Sequence, residues 1–124
     1  MQYEGFIDRV RQLAELDSFS EAERAIKATL TMLGDYLAAG GEERELASEL
    51  PEKLAEYLYR KPPDRAAPPS LDEFLEEVGE REEVNIDAGA HARAVMMVLE
   101  GAVSDKEMED VRRQLPGEFD PLFD

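Results

Sequence analysis

A chain of 124 residues, 43% hydrophobic and 35% charged, has room for one core or two very small subdomains, and its composition excludes collagen-like, disordered and multidomain classes. Its longest apolar run, Ala94 to Leu99, is too short to span a membrane, and thirty acidic against fourteen basic residues give a net charge of -16 that repels nucleic-acid phosphates and anionic lipid. The absence of cysteine removes disulfides, thiolate chemistry and Cys-based zinc sites, and the start Met1-Gln-Tyr-Glu-Gly5 lacks a signal peptide's basic end and apolar stretch, so a cytoplasmic protein is expected.

Apolar positions recur at three- and four-residue spacing, and no strict alternation runs long enough for a strand, so the chain reads as all-α. Tyr3, Phe6, Ile7 and Val10 line one face of a first helix over 3–15. Ser20 with Glu23 forms a capping box for a second over 20–39, which the Gly40-Gly41 pair ends by supplying a positive φ. A third helix follows over 42–49. Pro51 fits the first turn of a fourth over 51–59, where a missing N–H costs nothing. The stretch Lys61-Pro-Pro-Asp-Arg-Ala-Ala-Pro-Pro69 holds four of the seven prolines and reads as an extended, semi-rigid linker without PxxP spacing. Ser70 with Glu73 opens a fifth helix over 70–80, Asp87 caps a sixth over 87–103, and Ser104 with Glu107 opens a seventh over 105–114. Pro116 precedes a short eighth over 117–122.

These elements are written twice. Tyr3, Phe6, Ile7, Val10 and Leu16 match Leu71, Phe74, Leu75, Val78 and Val84 at an offset of 68. Ala22, Ile26, Thr29, Leu30, Leu33 and Leu37 match Ala88, Ala92, Val95, Met96, Leu99 and Val103 at 66. Leu46, Leu50, Pro51, Leu54, Tyr57 and Leu58 match Val111, Leu115, Pro116, Phe119, Leu122 and Phe123 at 65. The offset shrinks only between periodic blocks, where loops tolerate insertion. Because Leu13 aligns with Arg81 and Ala14 with Glu82, the apolar face should end earlier in the second copy. The expected architecture is a tandem duplication of a four-helix unit, with a first repeat over 1–60, the linker over 61–69 and a second repeat over 70–124. Each repeat is too small to hide its apolar faces alone, so the two should pack around a seam with approximate two-fold symmetry into one compact domain.

Phe-x-x-x-Val, then a capped Ala-rich helix, then a Leu-Pro ending, twice over, resembles the bacterial family called domain of unknown function 2267. The resemblance runs from Tyr3-Glu-Gly-Phe-Ile-Asp-Arg-Val10 and Glu45-Leu-Ala-Ser-Glu-Leu-Pro51 to Leu71-Asp-Glu-Phe-Leu-Glu-Glu-Val78, His91-Ala-Arg-Ala-Val95 and Gln114-Leu-Pro116. It implies a small helical protein with a duplicated unit and brings no activity and no catalytic residues.

His91, the only histidine, stands four residues after Asp87 on or beside an apolar face, and such a pair could act as acid and base or hold a metal. One histidine and one carboxylate are too few for zinc, and no Glu-x-x-His is present, so the stronger reading is a histidine packed at the seam. The acid is uneven: residues 1–60 carry net -6 and residues 71–124 net -11. Glu76-Glu77, Glu80, Glu82-Glu83 and Glu107, Glu109-Asp110 could attract a basic partner or weakly coordinate divalent cations, although helical acidic runs are more often solvated faces, and no EF-hand loop is present. Met96, Met97 and Met108 raise the idea of an adaptable groove; Met96 aligns with Leu30 and reads as core filler, and Met97 aligns with Thr31.

Phosphate-loop, dinucleotide and nucleophile-elbow glycine patterns are missing, which disfavours nucleotide enzymes and serine hydrolases. The leading expectation is a non-catalytic interaction or regulatory module that presents an acidic surface to a basic or amphipathic protein, with no nucleic acid, membrane or cofactor and no assigned catalytic or metal residue. The alternative is a metal- or small-ligand-binding protein or enzyme using Asp87 and His91 at the seam. A third reading, mimicry of DNA, requires carboxylates spaced like phosphates along one face.

Overall fold

The computed structural model describes residues 2–38, 41–59, 71–82 and 88–123, with only the backbone described at 77–82 and 88. The expected linker, Gly40, Ser70, Glu83 and Asp87 lie outside the described residues. The chain is all-α: α1 (Tyr3–Leu13), α2 (Phe19–Leu37), α3 (Glu42–Ser48), α4 (Glu52–Leu58), α5 (Leu71–Glu82), α6 (Ala88–Ala102), α7 (Asp105–Gln114) and a terminal 3-10 helix (Gly117–Phe123). No strand occurs among the described residues, and no helix there is long and apolar enough to cross a membrane.

Local chemistry sets the boundaries. Ser18-Phe-Ser-Glu-Ala-Glu23 contains two overlapping Ser-x-x-Glu frames, and α2 uses the upstream one rather than Ser20 with Glu23. The Ser18 hydroxyl accepts the Glu21 N–H at 3.1 Å, and the Glu21 carboxylate accepts the Asp17 N–H at 3.3 Å. This choice leaves Glu23 to accept the Tyr3 hydroxyl at 2.5 Å, which ties α2 to the start of α1. Gly41 adopts φ 76 and donates its N–H to the Ala38 carbonyl at 3.1 Å, the left-handed turn that the glycine pair foretells. Pro51 stands one position ahead of its expected place: its ψ of 148 makes it the N-cap of α4, with its carbonyl accepting Leu54 and Ala55 N–H groups at 3.0 and 2.9 Å. Pro116 likewise accepts the Phe119 N–H, at 3.0 Å. The last element is a 3-10 helix containing Pro121, which cannot donate a backbone hydrogen bond.

The apolar stripe of α1 stops at Val10. Leu13, grouped with the apolar face in the first copy, is 43% exposed, because the helix ends there and the chain reverses through Glu15. Leu16 then drops into the core.

One apolar cluster runs through the molecule, joining Phe6, Ile26, Leu30 and Leu33 to Phe74, Met96, Leu99 and Phe119. α1 packs on α2 and α6, while α5 packs on α6 and α2; α2 also lies against α6, and α3 against α7. α4 closes on α2, as the 3-10 helix closes on α6. The helices α1 to α4 and those from α5 onward therefore contribute to one shared apolar core.

At one point in this packing, backbone approaches backbone. A Cβ on Gly34, in the last turn of α2, would lie 2.3 Å from the carbonyl oxygen of Leu58 at the end of α4. The missing side chain admits α4 to that distance.

Candidate functional site

α3 and α7 are short helices that meet where the two parts of the chain join. Each buries a small apolar pair, Leu46 and Ala47 in α3 and Met108 and Val111 in α7. A residue four positions before a buried one shares its helical face. Glu42 stands in that relation to Leu46, and Glu107 to Val111, so burial of the apolar residue carries the glutamate inward one turn earlier. Glu45 and Asp110 follow three positions later on the same sides.

The result is a junction of four carboxylates. One oxygen each from Glu42, Glu45, Glu107 and Asp110 lie within 4.8 Å of one another. Glu107 is only 4% exposed, Asp110 is half-buried and Glu45 is open to solvent. The Oε2 atoms of Glu42 and Glu107 are buried, and no backbone N–H, basic side chain or hydroxyl among the described residues donates to either. Arg113 sits at the rim, its Nη1 3.2 Å from Asp110 Oδ1. Ser104 anchors Glu107 from the backbone side, its hydroxyl accepting the Glu107 N–H at 3.2 Å.

Burial pushes the Glu107 carboxyl up to about 8, and the neighbouring Glu42, Glu45 and Glu49 push in the same direction. Glu42 is also raised by burial; a hydrogen bond accepted from the Glu107 carboxyl opposes that rise, whereas Glu45 and Asp110 add to it. At neutral pH, Glu107 therefore holds a proton directed towards Glu42. When ionised, the two are acceptors only, and a cation must take the proton's place to satisfy them.

A second polar group, at Tyr3, links α1, α2 and α4. The Tyr3 hydroxyl donates to Glu23 and lies 3.4 Å from the Tyr57 hydroxyl, while Lys53 Nζ stands 5.1 Å from the Tyr3 ring centre. Burial and these partners raise the phenol well above its ordinary range, so it stays protonated and acts as a clasp rather than a base.

His91 is buried on α6, 4% exposed, and is not a member of the carboxylate junction. Met96 is fully buried, in keeping with its match to Leu30, and Met97 is 44% exposed. Met108 lines a depression of about 360 Å3 together with Glu100, Asp105, Glu109 and Arg112. The three methionines therefore do not share one groove. Glu76 is exposed, and the side chains of Glu77, Glu80 and Glu82 are outside the description.

Glu107 departs from the sequence reading. Its backbone N–H makes the expected cap, but its carboxylate turns into the α3–α7 contact instead of returning to Ser104. Glu42 and Glu45 were not singled out from the sequence. The signal was present, because the pair Glu42/Glu45 recurs as Glu107/Asp110 at the same offset of 65 that relates Leu46 to Val111.

A family model described as uncharacterized conserved protein (DUF2267) matches residues 3–122, nearly the whole chain. Among curated proteins, none matches the sequence. With that match spanning the helices described above, this chain belongs to the DUF2267 family.

Proposed function

We propose that this chain is a non-catalytic interaction module that receives a basic, amphipathic segment of a partner protein on the face formed by α6 and α7. The observation that carries the reading is the depression of about 360 Å3 at Met108, flanked by three carboxylates, Glu100, Asp105 and Glu109, and by a single cation, Arg112. A methionine floor accommodates varied apolar side chains, and an acidic rim favours Lys and Arg beside them. The net charge of -16 steers such a partner and rejects polyanions.

The doubled four-helix unit with approximate two-fold symmetry belongs to the same proposal. It is supported by the matching pairs of helix contacts, α1 on α6 with α5 on α2, and α2 on α4 with α6 on the 3-10 helix. In this reading the duplication supplies a rigid scaffold and the second copy, the more acidic, supplies the docking face. The rival reading through Asp87 and His91 rests on the sequence alone: His91 is buried on α6, and Asp87 lies outside the described residues.

The test is titration of the full chain with a Lys/Arg-rich amphipathic helical peptide of about 18 residues, a length sufficient for a marginally stable helix. Binding should weaken steeply as salt rises and fall at least roughly tenfold in a Glu100→Lys/Glu109→Lys variant. Salt-independent binding, or equal binding by the variant, would remove the reading.

A further inference from the structure

We propose that Glu42, Glu45, Glu107 and Asp110 form a site for one divalent cation of the calcium class, held between α3 and α7.

The first ground is distance. Calcium takes oxygen ligands at about 2.3–2.6 Å, so oxygens on opposite sides of one ion stand about 4.6–5.2 Å apart. The four carboxylates already present one oxygen each within 4.8 Å of all the others. An ion placed among them is close to all four, and small side-chain rotations bring each oxygen to bonding distance.

The second ground is independent of the clustering. Glu107 is 96% buried by its 4% exposure, and its Oε2 receives no hydrogen bond from any backbone N–H among the described residues. The equivalent atom of Glu42 is in the same condition. No basic or hydroxyl group among the described residues reaches either buried oxygen, so only a shared proton or a cation offsets the cost of burying the two carboxyls together. A metal ion bridging the pair removes that cost.

The third ground is donor chemistry. The junction offers only carboxylate oxygen, with neither nitrogen nor sulfur, which selects hard cations over zinc, copper or nickel. Magnesium keeps several waters and usually takes one or two carboxylates, whereas calcium accepts many in irregular geometry. Four protein carboxylates, two of them shut away from water, match calcium.

The fourth ground is the origin of the ligands. An i,i+3 acidic pair stands at the same register in both parts of the sequence, and α3 and α7 bring the two pairs face to face. The ion would thus clamp the N-terminal part of the chain to the C-terminal part. This site is separate from the depression at Met108 and shares no residue with it.

Isothermal titration of the full chain with calcium chloride, after removal of metal with chelator and at about pH 8.5 to minimise proton competition, tests the site. The expected result is one ion per chain, a melting temperature raised by calcium chloride beyond the effect of potassium chloride at equal ionic strength, and magnesium binding roughly tenfold weaker or more. In Glu107→Gln, calcium affinity should fall by roughly tenfold or more while the calcium-free melting temperature equals or exceeds that of the parent, because the neutral amide fills the same space and can donate to Glu42. Should Glu107→Gln fail to fold, the Glu45→Gln/Asp110→Asn variant on the open side is read instead, with the same loss expected. The proposal is overturned by absence of calcium uptake in the parent chain, by uptake undiminished in the folded variant, or by magnesium binding as tightly as calcium.

Discussion

The Glu49 carboxylate, just past the end of α3, accepts both the backbone N–H of Ser104 at 2.6 Å and its hydroxyl at 2.9 Å. A residue from the first half of the chain thereby completes the N-terminal cap of a helix in the second. Ser104 in turn holds the Glu107 N–H, so three residues from two helices fix the backbone beneath the carboxylate junction. Truncating Ser104 to alanine should cost about 1–2 kcal/mol, the usual effect of a lost N-cap. In a Glu49→Ala/Ser104→Ala double-mutant cycle read by urea denaturation, a coupling of at least about 0.5 kcal/mol is expected. Simple additivity would mean that the contact contributes nothing.

Gly34→Ala tests the approach of α4 to α2. The new methyl would meet the Leu58 carbonyl at 2.3 Å, and backbone cannot rotate away as a side chain can. Despite alanine's better helix propensity, the variant should lose about 1–3 kcal/mol, the range for overpacking. A melting temperature at or above the parent's would show that α4 shifts freely.

Glu15 offers the opposite case. It holds φ 54, the left-handed position of a turn in which the Glu15 N–H meets the Gln12 carbonyl at 3.3 Å and the Leu16 N–H meets that of Arg11 at 2.9 Å. Glycine is the usual residue there, because a Cβ carries a steric cost in this conformation. Glu15→Gly should therefore stabilise the protein, by about 0.5–1 kcal/mol, and thermal melting would detect it. A loss of stability would mean that the greater freedom of glycine in the unfolded chain outweighs the relief.

Stability should also depend on pH through the junction. The Glu107 carboxyl lies at about 8 in the folded protein, above its ordinary value of 4.5. Between those values the native state holds a proton that the unfolded chain has released, so stability falls as pH rises through this window, at up to about 1.4 kcal/mol per unit from this one group. The groups facing it are Glu42, Glu45 and Glu49, with Asp110 acting on Glu42. Urea midpoints measured in chelator at about pH 5, 7 and 9 should decline more steeply for the parent than for Glu107→Gln. Parallel profiles would place the titration elsewhere.

The helices were legible because amphipathic spacing is a local signal: Phe6, Ile7 and Val10, or Val95, Met96 and Leu99, fall on one face before any tertiary contact is known. The start of α2 was less so, since Ser18 and Ser20 open equally good frames and the choice between them involves Tyr3, twenty residues from Glu23. The carboxylate junction was hidden for a related reason. In sequence Glu107 looks like a capping acid on an exposed first turn, and only the approach of α3 converts it into a buried group. Acidic spacing alone does not distinguish a solvated face from a helix contact. The repeat does supply a hint, since Glu42 and Glu45 recur as Glu107 and Asp110.

Phe119 stands edge-on to Tyr36 at 5.2 Å and to Phe74 at 5.4 Å, a three-ring array that joins α2, α5 and the terminal 3-10 helix. Its consequence is thermodynamic indivisibility. A chain cut near its middle would leave each fragment with an open aromatic wound and no independent fold, yet the two fragments, mixed, should reassemble into one body with a single cooperative transition.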